Sequence, residues 1–114
     1  KENLVLITLS PKDFSFISID DINQVVHFLA GNRVKVTLMQ QSAIDLNLVL
    51  DAGEADFEWL MEKLEPHYRI LYNTGLTLIT IRHYTEETLD RMVKGRDIYL
   101  EQHSRLTARI LVKE

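Results

Sequence analysis

A chain of 114 residues buries one modest core or two small ones that share a boundary, because small units hide a low fraction of their surface. Its 13 basic and 17 acidic residues are interspersed, with a net charge of −4 and no basic run, which disfavours nonspecific binding to nucleic acid. The lack of cysteine excludes a disulfide framework and a thiolate metal site and is compatible with a reducing cytoplasm. No apolar run approaches the roughly 20 residues of a membrane helix, and the first residues carry no signal-peptide pattern, so a soluble protein is expected. The start at Lys1 rather than a methionine leads to the expectation of a piece cut from a longer chain.

In chain order, "LVLITLS" is rich in β-formers and reads as a strand bounded by Pro11. "PKDFSFIS" has no period and leads to Ser18, which with Asp21 has the spacing of a helix capping box. Ile22, Val25, Val26 and Leu29 recur three and four apart on one helical face, with Gly31 expected as the left-handed stop. From Val34 the period becomes two: Val34, Val36 and Leu38, then Ile44, Leu46, Leu48 and Leu50, with a turn near Ser42. Phe57, Leu60, Met61 and Leu64 restore helical spacing up to Pro66. Trp59, beside that face, is expected against the sheet or a neighbouring subunit. Tyr68, Ile70 and Tyr72 predict a strand ending in a turn at Asn73–Gly75.

The pattern then starts again. Leu76–Ile81 is a strand, Thr85 caps a helix with Leu89, Met92 and Val93 on its apolar face, Gly95 stops it, and strands follow over Asp97–His103 and Leu106–Lys113. "LMQQSAIDLNLVLD" (38–51) recurs as "LEQHSRLTARILVK" (100–113) at one constant offset, and "LVLIT" (4–8) recurs as "LTLIT" (76–80) at an offset ten residues larger. Such self-similarity marks a duplicated structural unit. The order strand, helix, strand, strand, helix, strand over 1–75 predicts an α+β, ferredoxin-like unit with an antiparallel sheet and both helices on one face. The second unit, 76–114, is one helix and one strand short. Either it is completed by exchange, with strand 4–9 or a partner's strand, or by residues beyond this chain.

"LITLSPKDFSF", "VKVTLMQQSAIDLNLVLD", "YNTGLTLITI" and "KGRDIYLEQHSR", taken together over nearly the whole chain, resemble the tandem ACT regulatory region of aspartokinases. The resemblance implies an allosteric amino-acid-binding region attached to a kinase that phosphorylates the side-chain carboxylate of aspartate. ATP and Mg would belong to that kinase domain, and no cofactor to this chain. It further implies feedback control of lysine, threonine and methionine synthesis, L-lysine or L-threonine as effector, a cytoplasmic homodimer formed through the ACT units, and the kinase domain of the same chain as partner. The effector loop corresponds to Lys12, Asp13, Phe14, Ser15 and Phe16. Thr37, Gln41, Ser42 and Ala43 belong to the second effector-binding segment, and Thr37 and Ala43 stand where lysine-sensitive relatives commonly carry carboxylates. A zwitterionic ligand requires backbone N–H donors and oxygen acceptors, which the loop and Gln40, Gln41, Ser42 and Asp45 offer. The alternative is a non-binding ACT assembly module, in which "QQS" and "EQHS" are ordinary polar turns and Phe14 and Phe16 fold back on the core.

The four histidines lack metal-ligand spacing, and Glu86, Glu87 and Asp90 suit a helix start without a catalytic role. Arg105 and Arg109 read as a solvated face of the last strand or as salt-bridge partners for the kinase domain. No Walker loop, GxSxG or Gly-rich phosphate loop appears, so no catalytic residue is assigned. Aliphatic sheet faces and negative charge disfavour an RNA-binding reading. No membrane partner is expected either.

Overall fold

The computed structural model describes residues 1–51 and 57–113. Its elements are β1 (Leu4–Pro11), α1 (Ile19–Gly31), β2 (Val36–Gln41), β3 (Leu46–Asp51), α2 (Phe57–Leu64), β4 (Tyr68–Arg82), α3 (Glu86–Val93), β5 (Asp97–His103) and β6 (Thr107–Lys113). The fold is α+β, with six antiparallel strands and three helices among the described residues. Two compact units divide the chain: Val5–Thr74, and Lys1–Leu4 together with the chain from Gly75 onward.

In the larger unit the strand order is β2-β3-β1-β4. Val5, Ile7 and Leu9 of β1 and Leu46, Leu48 and Leu50 of β3 alternate onto one sheet face, where they meet Val25 and Leu29 of α1 and Leu60 and Leu64 of α2 in one buried cluster. Both helices therefore cover the same face, as a period of two meeting a period of 3.6 requires. Trp59 stacks on Phe28 of α1, with ring centroids 5.8 Å apart, and Lys63 places its ammonium over the indole at 5.7 Å.

Helix α1 begins at the expected capping box. Ser18 is extended (φ −93°), its Oγ accepts from the Asp21 N–H at 3.1 Å, and the Asp21 carboxylate accepts from the Ser18 N–H at 2.9 Å. Its stop differs from expectation, because Gly31 is not left-handed. Asn32 closes the helix, donating from its backbone to the Phe28 and Leu29 carbonyls (3.2 Å each) and from its side chain to the Phe28 carbonyl (2.8 Å), and Arg33 takes the left-handed conformation at φ 57°. The Asn side chain satisfies the terminal carbonyl that a glycine stop leaves to backbone alone. Thr85 caps α3 by accepting from the Thr88 N–H at 3.1 Å, and Gly95 follows the helix at φ 76°. Leu89 and Val93 of α3 are half-buried and Met92 is exposed.

The expected turn at Asn73–Gly75 is replaced by continuous strand. β4 runs unbroken from Tyr68 to Arg82, with Gly75 at φ 67° inside it. Glycine absorbs a local irregularity there without ending the strand, because both flanks are held by neighbouring strands. The first half of β4 is the outer strand of the larger unit and the second half begins the order β4-β6-β5 of the smaller unit. In that smaller unit Lys1 lies beside β4: its terminal ammonium donates to the Leu78 carbonyl and the Leu78 N–H to the Lys1 carbonyl, both at 2.8 Å.

The duplicated sequence builds one bulged hairpin twice. The β2/β3 register shifts between Val36 and Leu38, leaving Thr37 as the extra residue, and the β5/β6 register shifts between Ile98 and Leu100, leaving Tyr99. These are corresponding positions of the repeat. At the turns, the Ser42 N–H donates to the Asp45 carbonyl (2.9 Å) and the Ser104 N–H to the Thr107 carbonyl (2.8 Å). Each serine Oγ accepts in return, from the Asp45 N–H at 3.2 Å and from the Thr107 N–H at 3.3 Å. Ile44 and Leu106, expected in strands, lie in these turns and are exposed, because the serine-closed loop consumes the residues that would have extended the ladder. Arg105 likewise sits in the turn rather than on β6, whereas Arg109 is in β6.

Candidate functional site

The loop between β1 and α1 is shaped by local hydrogen bonding. Asp13 Oδ1 accepts from the Ser15 N–H at 3.0 Å, and Phe14, at φ 62°, donates its N–H to the Pro11 carbonyl at 3.3 Å. An aromatic in the left-handed region is uncommon, and here the ring is partnered by the Arg69 guanidinium, 4.2 Å from its centroid. Phe14 and Phe16 are about three-quarters exposed (76% and 75%), so neither folds back on the core; Ile17 is buried in their place. The Ile17 N–H donates to the Ala43 carbonyl at 2.9 Å, which brings the loop against the β2–β3 turn. Two segments 26 residues apart in sequence, both assigned to effector binding by the resemblance, thus share one end of the unit.

Within the turn, Gln41, Ser42 and Ala43 are exposed. The Ser42 hydroxyl donates to Asp45 Oδ1 at 2.7 Å, so its proton is committed to the turn. Thr37, in the bulge of β2, is half-buried and its Oγ1 is shielded from solvent without a hydrogen-bond partner among the described residues; the same holds for Gln40 Oε1. Unpaired, shielded oxygens cost free energy that an external donor would restore.

Lys12, Asp13 and Ser15 line an open cavity of about 370 Å³ together with Asp21, Gln24 and Tyr68. Thr37, Gln41, Ser42 and Ala43 do not line it. Hydrogen bonds from the backbone of Ser18, more than those from the Ser18 and Tyr68 hydroxyls, hold the Asp21 carboxyl below the usual carboxylate range. Ser15, through its hydroxyl first and its N–H second, lowers Asp13 in the same direction. Burial, with the Asp21 carboxylate adding to it, pushes the Tyr68 hydroxyl up to about 12. Tyr68 is therefore a neutral donor at physiological pH, and it donates to Asp21 Oδ1 at 3.3 Å. The cavity presents one ammonium, one amide and ionised carboxylates, a donor and acceptor set that suits a zwitterion. Sequence reasoning had placed Asp21 only as a cap, and no local pattern marked Gln24 or Tyr68, because Tyr68 reaches α1 only through the packing of β4.

Among the described residues no cluster of three or more His, Cys, Asp or Glu is arranged to hold a metal ion. No described helix is long and apolar enough to cross a membrane.

No protein-family model and no curated protein sequence matches the chain. Solved structures do. Escherichia coli aspartokinase III in complex with lysine and aspartate aligns with a TM-score of 0.76 at 19% identity, covering 99% of this chain and 28% of that one. Clostridium acetobutylicum aspartate kinase aligns at 0.79 with 12% identity, over 99% and 30% of the two chains. The regulatory subunit of aspartate kinase from Thermus flavus aligns at 0.72 with 13% identity, over 99% and 84%. This chain spans less than a third of the two whole kinases and most of the separate regulatory subunit. From its paired units and bulged hairpins to these alignments, the chain has the fold of the regulatory ACT domains of aspartokinases.

Proposed function

We propose that the chain is an allosteric, amino-acid-binding regulatory region of an aspartate kinase, made of two ACT-like units over 1–75 and 76–114 and working as a cytoplasmic homodimer beside the kinase domain of its own chain. The similar E. coli structure is of an aspartokinase holding lysine, which supports this class of ligand. The observation that carries the reading is the hydrogen bond from Ile17 to the Ala43 carbonyl, which brings the loop 12–17 against the β2–β3 turn, with the unpaired oxygens of Gln40 and Thr37 further back along β2. An amino acid offers an ammonium for oxygen acceptors at this end of the unit and a carboxylate for N–H donors of the loop beyond those of Phe14, Ser15 and Ile17, which are already bonded. Inhibition then requires that lysine or threonine bind one state of the parent enzyme more tightly than another.

A thermal-shift scan against the twenty amino acids, followed by calorimetry on each hit, tests the proposal. A ligand that binds only the folded state raises the melting temperature by mass action. A selective rise with lysine or threonine is expected, and no rise with any amino acid overturns the sensing role. A second reading, an assembly module without effector, is favoured by the locally satisfied Ser42 and by Thr37 and Ala43 lacking carboxylates. That reading predicts a folded dimer that responds to no amino acid.

A further inference from the structure

The two hairpins have the same bulge and the same serine-closed turn, but their chemistry differs. Asp45, whose carboxylate accepts from Ser42 in the first copy, corresponds to Thr107 in the second, and Asn47 corresponds to Arg109. The second copy has lost an acid and gained a cation at one hairpin end. Gln102 and Arg109 are directly opposed across β5 and β6, so their side chains leave the same face of the pair. With His103, Ser104 and Thr107 they line a cavity of about 490 Å³ in the smaller unit, within the size range of small-molecule sites. Arg109 is half-buried, and no carboxylate of the described residues pairs with it. The neighbouring acid, Glu101, lies 4.0 Å from His103 Nε2 instead.

We propose that this hairpin end is an oxyanion site, taking the carboxylate or phosphate of a small organic acid on the Arg109 guanidinium and the Gln102 amide, beside the Ser104–Thr107 turn. A guanidinium has five fixed donors and no acceptor, so a planar or tetrahedral oxyanion is its natural complement. Such charge-assisted bonds are the strong class of hydrogen bond. The first copy presents Asp45 at the corresponding turn and repels the same ligand. Whether or not the larger unit senses an amino acid, this site stands on its own residues.

The test is a heteronuclear NMR titration of the whole chain with inorganic phosphate and, separately, with succinate, at constant ionic strength. Saturable shifts confined to the amides of residues 102–109 are expected. Saturation by succinate alone assigns a carboxylate ligand, by phosphate alone a phosphate, and by both a general oxyanion pocket. Arg109→Gln is expected to weaken binding about tenfold or more, the loss of charge-assisted hydrogen bonds, and Arg109→Lys to weaken it less. Arg105→Gln, an exposed turn cation outside the cavity, leaves it unchanged. Where Arg109→Gln fails to fold, Arg109→Lys and Gln102→Ala decide. No saturable shift with either anion, equal binding by wild type and the Arg109 variants, or an equal loss in Arg105→Gln overturns the proposal.

Discussion

Asp21 accepts three hydrogen bonds: from the Ser18 N–H and hydroxyl at 2.9 Å each, and from the Tyr68 hydroxyl at 3.3 Å. It thereby ties the start of α1 to the start of β4, and Asp21→Ala removes the whole junction. Ser18 Oγ still accepts from the backbone N–H of residue 21 in the variant, so losing only the return half of the cap costs about 0.5 kcal/mol. The negative charge at the helix start contributes about 0.5 kcal/mol. The long bond from the buried Tyr68 adds about 1 kcal/mol, reduced because the carboxylate is partly exposed. Alanine returns about 0.5 kcal/mol in helix propensity. A net loss of about 1.5 kcal/mol is expected. Trp59, stacked on Phe28 of α1, reports the unfolding of the larger unit by fluorescence in urea, with Tyr68→Phe completing a double-mutant cycle. The pH dependence carries the sign of a depressed carboxyl. Its stabilisation is present above the ordinary carboxylate range and is lost as pH falls through the lowered value, so the gap between wild type and Asp21→Ala closes only in acid. A loss under about 0.3 kcal/mol at neutral pH, or no coupling between Asp21 and Tyr68, refutes the junction.

Three further outcomes are expected. Because Tyr68 is raised to about 12, its neutral form contributes stability that is present below about pH 10 and lost as pH rises towards 12, and Tyr68→Phe flattens that alkaline decline in urea midpoints. Gly75→Ala destabilises by about 1 kcal/mol because φ 67° strains a Cβ even with no atom within 4 Å, whereas Gly31→Ala, which has no such φ, is neutral or stabilises by up to about 1 kcal/mol; paired denaturation curves compare them. Thr37→Asp places a carboxylate in the bulge of β2 and, on the proposed function, strengthens lysine binding about tenfold by calorimetry; unchanged or weaker lysine binding argues against this position facing the effector.

The sequence by itself determined whatever is closed by neighbours along the chain. Ser18 with Asp21 and the cap at Thr85 are satisfied within three residues, so spacing alone revealed them; the turns at Ser42 and Ser104 are closed as locally, yet spacing showed only a turn near Ser42 and left Ile44 and Leu106 in strands. The repeat was equally legible, because two copies of one hairpin require matching alternation and matching turn residues. Of the candidate site, the loop 12–16 and the turn at Ser42 were visible as segments, but not the bond from Ile17 to Ala43 that joins them, nor the approach of Tyr68 to Asp21. The passage of β4 through Gly75, the pairing of Lys1 with Leu78 and the bulges at Thr37 and Tyr99 were decided only by the tertiary structure. The reason is physical: whether a glycine ends a strand or bends within it, and which strand an N-terminal segment joins, depends on hydrogen-bond partners far away in sequence, which no local pattern specifies.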